Sequence, residues 1–456
     1  MNSALTKSVK IAVIGAGSMG CFIASKIRSK SPLSSTLGIF TSRQNIADTI
    51  NKHGIRIELF DETIDKMTVV DSCPSISFFA SSTADDFMNR FRLASNQNVS
   101  TNGTPSVSSH VDLVIIMTKG VAETALATEL AVKLLKSTTV TALEGRSGWI
   151  LSLQNGIGYY DVILNVLKAQ YADIPVIVGS TSMGVSLNRS ESSPTTSTTR
   201  TSTTPSISTS VTPNAFAGLL LRQSSSIGTT ILVNSDDKTR PTNGCGRQSD
   251  NSNTGSDDDA KDKNTNINNM CTANGLTITE IQSLLMLCDM NVLIRPAEVR
   301  NNVLWSKLVV SATLLPMTVI LNQPNGCLVT LSGDDVKHLV TVVHALQEIC
   351  RLANTLGIVM EFVDIDSYKV NDAARVQTIR HTLALMPSNV LEELHATNQG
   401  MAALEHVLWV ASTTATNISS MLSDIRNKRG HTESESILGP LIVLGERYEV
   451  PTPTLR

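Results

Sequence analysis

The residues with the clearest chemical meaning near the N-terminus are Gly15, Gly17 and Gly20, which are spaced as Gly-x-Gly-x-x-Gly. They follow an apolar run over residues 9–14 and precede a helical pattern over residues 21–27. In such a turn the first glycine bends the chain, the second admits a pyrophosphate and the third packs helix on strand. The free N–H groups at the helix start favour an anion. A plain glycine turn is the alternative, but the flanking strand and helix predict dinucleotide binding by Gly15, Ala16, Gly17, Ser18, Met19 and Gly20.

The residues after the second predicted strand indicate which dinucleotide binds. That strand covers residues 37–40 and runs into Thr41, Ser42 and Arg43, and no acidic residue occurs between residues 1 and 47. An acid at this point would hold the ribose 2′-hydroxyl of NAD, whereas an arginine accommodates the 2′-phosphate of NADP. Ser42 and Arg43 therefore favour NADP(H), because a hydroxyl and a guanidinium suit a phosphate. The alternative is that Arg43 is an ordinary solvated loop residue.

A lysine in the C-terminal part lies on an unusual helix face. The helical pattern over residues 299–321 places Lys307 on one face with Val303, Val310, Ser311 and Leu314. Residues three and four apart are neighbours on a helix, so this lysine projects from a mostly apolar stripe. Desolvation can tune a buried lysine toward a neutral pKa, which suits proton transfer. The alternative is that its long side chain reaches solvent from an apolar face.

The elements that must position these residues alternate as strands and helices through the first part of the chain. Apolar runs at residues 111–117, 149–153 and 176–179 predict buried parallel strands, with a helix over residues 121–135. This alternation predicts a doubly wound sheet that binds ligands at the carboxyl ends of its strands. Lys119 and Asn155 follow two of those strands. Three further patterns predict a hairpin over residues 55–60 and 66–70, a helix over 280–288 and a strand over 291–294.

Polar segments interrupt this pattern, and a helical region follows it. Residues 94–109, 189–214 and 234–275 are polar and, in the two longer segments, rich in Ser, Thr, Asn and Asp, which predicts disordered insertions. Between the longer two, residues 215–221 and 229–233 predict a hairpin. From residue 296 onward the apolar spacing is helical, over residues 299–321, 336–356, 372–385 and 438–448. We therefore predict a Rossmann-type domain over residues 1–293 and a helical domain over residues 294–456.

Composition argues against several classes of protein. The 456 residues carry a net charge of −3 without a basic block, so we expect no nucleic-acid partner. The longest apolar stretches, such as residues 113–117 and 438–444, are shorter than the roughly 20 residues of a membrane span, so we expect no such span. The first ten residues do not resemble a signal peptide, which favours a cytoplasmic location. The seven cysteines form no Cys-x-x-Cys and the eight histidines lack metal-ligand spacing, so we expect free thiols and no metal site.

Seven motifs in order resemble the ketopantoate reductase (2-dehydropantoate 2-reductase) family. They are residues 14–20, Thr118 with Lys119, residues 153–158, 302–308, 324–326 and 417–425, and Thr432 with Glu433. The resemblance runs from residue 9 to about residue 455 apart from the insertions. It implies an α/β Rossmann-type domain followed by an all-α domain like the C-terminal domain of 6-phosphogluconate dehydrogenase.

The resemblance also implies an activity. Members of this family reduce ketopantoate with NADPH to (R)-pantoate, on the route to pantothenate and coenzyme A, and a lysine supplies the proton. By position that lysine is Lys307. The resemblance adds Lys119, Asn155 and Glu433 to the cofactor site, and it places the 2-keto acid substrate against Asn155, Lys307, Ser311, Asn325, Asn417 and Ser420. The alternatives without the resemblance are that Ser420 is a serine on a helix surface and that Glu433 is an acid at a helix N-terminus, where it complements the helix dipole.

The chain departs from the family pattern near Lys307. Family members commonly carry asparagines four and eight residues after the lysine, where this chain has Ser311 and Leu315. Serine can still form a hydrogen bond, but leucine cannot replace an amide. The chain also ends at Arg456, where many members continue with a further helix. The alternatives are therefore a reductase of another 2-keto acid and a non-catalytic NADPH-binding protein. The sequence does not fix the oligomeric state, and a homodimer is one option.

Overall fold

A computed structural model describes most of the two regions predicted to be globular. The described residues are 9–30, 36–61, 66–73, 79–96, 111–135, 148–170, 172–181, 185–188, 219–223, 229–234, 276–362, 372–430 and 432–456. The predicted insertions at residues 94–109, 189–214 and 234–275 lie outside them, except that residues 94–96 end a helix and Asn234 ends a strand.

The N-terminal domain is built on an eight-stranded sheet with the order β12-β11-β8-β7-β6-β1-β2-β5. The strands from β8 to β5 in this order are parallel, whereas β11 runs antiparallel to β8 and parallel to β12. The strands of this sheet are β1 Ile11–Ile14, β2 Leu37–Phe40, β5 Phe79–Ser81, β6 Leu113–Ile116, β7 Trp149–Ser152, β8 Val176–Thr181, β11 Thr229–Asn234 and β12 Asn291–Arg295.

Helices cover both faces of this sheet. Side chains alternate across a strand; along β1, Ile11 and Val13 pack into one core while Ala12 and Ile14 pack into the other. The first core includes helices α1, α2 and α6, and the second includes α3, α4 and α5. The doubly wound fold is therefore confirmed. The helices are α1 Ser18–Lys30, α2 Gln44–His53, α3 Ala84–Asn96, α4 Val121–Leu135, α5 Tyr159–Ala169 and α6 Ile278–Leu287.

A second, four-stranded sheet with the order β4-β3-β10-β9 lies beside the first. Its strands are β3 Ile55–Asp61, β4 Lys66–Cys73, β9 Val185–Asn188 and β10 Leu219–Gln223. The predicted hairpin of β3 and β4 is confirmed, because the two strands pair antiparallel. The predicted hairpin over residues 215–221 and 229–233 is wrong. Strand β10 pairs with β3 and β9, whereas β11 pairs with β8 and β12 in the other sheet.

The C-terminal domain is helical and packs around α7. Its helices are α7 Arg300–Leu321, α8 Val336–Thr355, α9 Ala373–Ala384, α10 Ser388–Ala396, α11 Gly400–Thr413, α12 Ser420–Arg426 and α13 Ser434–Arg447. Helix α7 contacts α8, α11, α12 and α13, and it also contacts the end of β8 in the first domain. Helix α7 therefore carries side chains of the second domain to the end of β8.

Helix α7 and the short turn before it are long and apolar enough, over Ala297–Leu321, to cross a membrane by length and composition. The sequence analysis predicted a helix over residues 299–321, but its expectation that the apolar stretches are too short for a membrane span did not take this helix into account. Within the structure 67 % of its most apolar window is buried. The core helix of a helical domain shows the same properties, and α7 lies at the centre of such a domain.

Candidate active site

The glycine turn between β1 and α1 has the geometry that its sequence predicts. Gly15 has φ +114°, and a Cβ there would lie 2.7 Å from the Met117 carbonyl group. A Cβ on Gly20 would lie 2.0 Å from Gly15 O, so only glycine allows the helix to start this close to the strand. A Cβ on Gly17 would meet no described atom within 4 Å. The turn is therefore closed at its base and open at Gly17, at the N-terminus of α1, where a phosphate binds favourably.

Arg43 lies over this turn. Its side chain donates a hydrogen bond from Nη2 to Ala16 O at 3.3 Å, and its backbone N–H donates to Thr41 Oγ1 at 3.3 Å. The Arg43 side chain is half-buried, whereas Ser42 is exposed. The structure thus brings Arg43 to the glycine turn, as expected of a residue that contacts a dinucleotide bound there.

The loop after β6 places Lys119 beside the same turn. Gln154 fixes this loop, because its Nε2 donates to Thr118 O at 2.9 Å and to Thr124 Oγ1 at 2.7 Å. Gln154 is buried, and its own Oε1 accepts a hydrogen bond from Ser152 Oγ at 2.9 Å. The sequence analysis did not assign this buried glutamine a role. It connects the ends of β6 and β7 and so sets the backbone that carries Lys119.

Lys307 reaches from the second domain to the first. Its Nζ donates a hydrogen bond to Thr181 O at the end of β8, at 2.5 Å. Burial lowers the pKa of Lys307 to about 8, and the negative charge of Glu433 opposes this shift. The neighbours on its helix face, Val303 and Leu314, are buried, as the apolar stripe predicts. Lys307 therefore lies at the carboxyl edge of the sheet with a pKa lowered toward neutrality.

Ser311 and Leu315 follow Lys307 along α7. Ser311 is 6 % exposed. Leu315 is partly buried and packs against the apolar core of the second domain. A hydroxyl and a hydrocarbon side chain therefore occupy the positions where the resemblance expects two amides.

Glu433 contacts residues of both domains. We call the region where these residues meet, between the two domains, the cleft. Glu433 lies immediately before α13, is 7 % exposed, and accepts a hydrogen bond from Ser420 Oγ at its Oε2. Its Oε1 lies 3.5 Å from Asn155 Nδ2 and 3.8 Å from Lys119 Nζ. Ser420 is thus not a solvated surface serine. Glu433 is a helix N-terminal acid that also faces Lys119, Asn155 and Ser420.

Gly156 explains how Asn155 comes so close to the second domain. It has φ +101°, and a Cβ at this position would lie 2.4 Å from Ser436 O in α13. A side chain here would therefore push the two domains apart. The Asn-Gly pair combines a polar side chain with a backbone that touches the neighbouring domain.

Asn325 begins a short 3₁₀ helix after α7, and Asn417 lies in the loop before α12. The Asn325 N–H donates to Asn417 O at 2.9 Å, and Asn325 Nδ2 donates to Thr414 Oγ1 at 2.9 Å. The side-chain oxygens of both asparagines are buried and find no partner among the described residues. Among the described residues, these hydrogen bonds join the two segments to each other and not to Lys307 or Glu433. Their role in substrate binding stays a prediction.

Asp424 is a site residue that the sequence analysis missed. Its carboxylate pairs with Lys119 at 2.9 Å and with Arg429 at 2.7 Å, and its side chain is 2 % exposed. It lies four residues after Ser420, so the two share a face of α12. That spacing was the available sequence signal. We call Lys119, Asp424, Arg429 and Glu433 the cleft ion cluster.

Among the described residues, no group of three His, Cys, Asp or Glu side chains is arranged to hold a metal ion. Four cysteines, Cys21, Cys288, Cys327 and Cys350, are buried and have reduced side chains. Burial raises the pKa of Cys21, next to the glycine turn, to about 12. This thiol is therefore protonated at neutral pH.

Solved structures with the same architecture include known enzymes. A D-mandelate dehydrogenase with NADH and anilino(oxo)acetate has a TM-score of 0.55 at 15 % identity, over 98 % of this chain and 95 % of that chain. A PanE/ApbA family ketopantoate reductase from Ralstonia eutropha JMP134 has a TM-score of 0.53 at 15 % identity, with the same coverage. A 2-dehydropantoate 2-reductase from Geobacter metallireducens GS-15 has a TM-score of 0.53 at 14 % identity, over 98 % and 96 %. At these identities the likeness shows the fold.

Family models match both domains. The model described as ketopantoate reductase PanE/ApbA matches residues 11–201, and the model of the PanE/ApbA C-terminal domain matches residues 301–456. No curated protein sequence matches significantly. The two matched ranges contain the glycine turn, Lys119, Asn155, Lys307 and the cleft ion cluster, and the chain belongs to the ketopantoate reductase PanE/ApbA family.

Proposed function

We propose that this protein reduces ketopantoate to (R)-pantoate with NADPH, and that Lys307 donates the proton. As a member of this family, the protein is a nicotinamide-dependent oxidoreductase that acts on 2-keto acids. The observation that carries the proposal is the position of Lys307. Its ammonium projects from the second domain to the carboxyl edge of the Rossmann sheet, with a pKa of about 8.

The residues of the first domain fit a dinucleotide. The open space at Gly17 and the free N-terminus of α1 suit a pyrophosphate, and no side chain of the turn fills that space. When bound, a reduced nicotinamide supplies the hydride for the keto carbon. Arg43 donates a hydrogen bond to Ala16 O in the glycine turn. This position supports NADPH over NADH, because the guanidinium can pair with a 2′-phosphate.

The chain's own groups act on the charge that develops at the keto oxygen. An oxygen that gains negative charge must be stabilised or protonated, and Lys307 Nζ is the group with a suitable pKa. The negative charge of Glu433 favours the protonated form of this lysine. Ser420 and Asn155 both contact Glu433, so we place the polar groups of the substrate among these side chains.

The charge of the site suits a carboxylate substrate. Protonated Lys307 and the cleft ion cluster contain three cations and two anions, which leaves one net positive charge. A 2-keto acid carries one negative charge on its carboxylate. Binding therefore neutralises the cleft, and this complementarity supports a monoanionic substrate over a neutral ketone.

A related 2-keto acid is the second candidate substrate. Ser311 and Leu315 favour it, since a leucine cannot form a hydrogen bond with a substrate hydroxyl. A site that lacks a polar partner loses much of its discrimination for a substrate hydroxyl. A 2-keto acid with a branched hydrocarbon substituent would then react as well as ketopantoate or better.

The test is a comparison of substrates with purified protein. Consumption of NADPH is followed with ketopantoate, with 3-methyl-2-oxobutanoate and with a panel of other 2-keto acids, and each is repeated with Lys307→Met. We expect turnover of ketopantoate or of a branched 2-keto acid, and its loss in the variant. Tight NADPH binding without turnover of any 2-keto acid would contradict the proposal and favour a non-catalytic NADPH-binding protein.

A further inference from the structure

The buried carboxylate of Asp424 has a different cation at each oxygen. Oδ2 lies 2.9 Å from Lys119 Nζ, and Oδ1 lies 2.7 Å from Arg429 Nη1. The two cations belong to different domains, because Lys119 follows β6 and Arg429 follows α12. Asp424 therefore forms an ion pair across the cleft while it is held by a partner in its own domain.

Asp424 is the rigid member of this pair. The Arg429 N–H donates to Asp424 O at 2.9 Å, so backbone and side chain both fix the carboxylate within the second domain. Lys119 is 45 % exposed, and its long side chain has many rotamers when it is unpaired. A fixed carboxylate thus selects one position for a lysine whose backbone is held by Gln154.

Glu433 is the competing partner of Lys119. Its Oε1 lies 3.8 Å from Lys119 Nζ, whereas Asp424 Oδ2 lies at 2.9 Å. If Asp424 lost its charge, Lys119 would pair with Glu433, which already accepts the Ser420 hydroxyl and faces Asn155. The charge of Asp424 therefore keeps Glu433 available to Ser420 and Asn155.

We propose that Asp424 is a positioning residue, which holds Lys119 in the cleft and thereby fixes the second domain against the cofactor-binding turn. This inference rests on the proposed function for its kinetic consequence, which is a preorganised substrate site. Loss of preorganisation weakens ground-state binding, so it raises KM for the 2-keto acid more than it lowers kcat.

The kinetic test uses Asp424→Asn, Lys119→Met and the double variant. The control is Asp289→Asn, which breaks the 2.8 Å ion pair between Lys26 and Asp289, also formed by one buried and one exposed side chain. Asp289 has a left-handed backbone conformation, with φ 58°, which asparagine also adopts readily. The control substitution therefore adds no backbone strain. We expect each single cleft variant to raise KM about tenfold or more, and the double variant to be no worse than the worse single one. The control should leave KM unchanged.

The second readout needs no activity. Amide hydrogen exchange of residues 117–124 in the cofactor-free protein should be faster in Asp424→Asn than in the wild type, and unchanged in Asp289→Asn. Unchanged exchange, additive effects on KM, or an effect on melting temperature alone would overturn the proposal. If Asp424→Asn does not fold, Lys119→Met decides by the same measurements. Absence of turnover in the wild type would contradict the proposed function, while the exchange measurement still decides the role of Asp424.

Discussion

The alkaline limb of the pH–rate profile should report the titration of Lys307. Burial lowers its pKa from 10.5 to about 8, although the charge of Glu433 acts in the opposite direction. Reduction of a ketone consumes a proton, so only the protonated lysine is competent as the donor. The rate of reduction is therefore highest below the pKa and falls as the pH rises through it.

The expected size of the effect follows from the pKa. With a value of about 8, roughly nine tenths of Lys307 is protonated at pH 7 and roughly one tenth at pH 9. Above the pKa, kcat/KM should then fall about tenfold for each further pH unit. A lysine with an ordinary pKa would keep the rate constant to about pH 10.

The assay is kcat/KM for reduction of the best 2-keto acid from about pH 6 to about pH 10. Lys307→Met should lose about 10²- to 10⁴-fold in rate, and its residual rate should lose the alkaline limb. Lys307→Arg is the matched control, because arginine stays charged throughout this range. The rate of the reverse reaction, oxidation of the 2-hydroxy acid, should instead increase as the pH rises through the pKa of Lys307, because the neutral lysine accepts the proton.

Two results would refute this reasoning. One is an alkaline limb near pH 8 that persists in the residual activity of Lys307→Met, because another group would then titrate. The other is a wild-type rate that stays constant to about pH 10, which would show that the lysine is not desolvated.

The remaining predictions concern the charge beside Lys307 and the cofactor turn. Glu433→Gln should move the alkaline limb to lower pH, because Glu433 raises the pKa of Lys307; a limb that moves upward would contradict this. Gly17→Ala should keep the wild-type melting temperature but weaken dinucleotide binding, whereas Gly20→Ala should cost about 1–3 kcal/mol of stability, both measurable by thermal melts and fluorescence titration. Arg43→Ala should raise the Kd for NADPH more than that for NADH, and equal changes would exclude a 2′-phosphate contact.

The parts of the fold set by local sterics could be predicted from the sequence. The turn at Gly15 and Gly20 depends on contacts within β1, α1 and the end of β6, and the glycine spacing encodes them. The pairing of β10 and β11 could not be predicted. Both runs have the composition of strands, but each pairs with strands distant in sequence, such as β3 and β12. Proximity in the chain therefore suggested a hairpin that the structure does not contain.

The candidate site shows the same division. The apolar surroundings of Lys307 could be predicted from its helix face, and its lowered pKa follows from the burial of that face. Its role as the proton donor came from the family resemblance and stays a prediction. Asp424 could not be predicted, because its partner Lys119 is 305 residues away and belongs to the other domain. The spacing of Asp424 from Ser420 places it on the same face of a short helix, but that spacing alone does not distinguish a buried ion pair from a solvated face. Motifs place residues near the cleft, but the pairing of charges across it depends on how the two domains meet.

Transfer of deuterium tests the central claim most directly. Purified protein is given ketopantoate and NADPH carrying deuterium at the transferable position of the nicotinamide, and the product is examined by mass spectrometry. We predict pantoate with a single deuterium at the former keto carbon, formed by the wild type and greatly reduced with Lys307→Met. Unlabelled pantoate, or equal formation by the variant, would contradict the account, as would the absence of any reduced product from ketopantoate and from branched 2-keto acids.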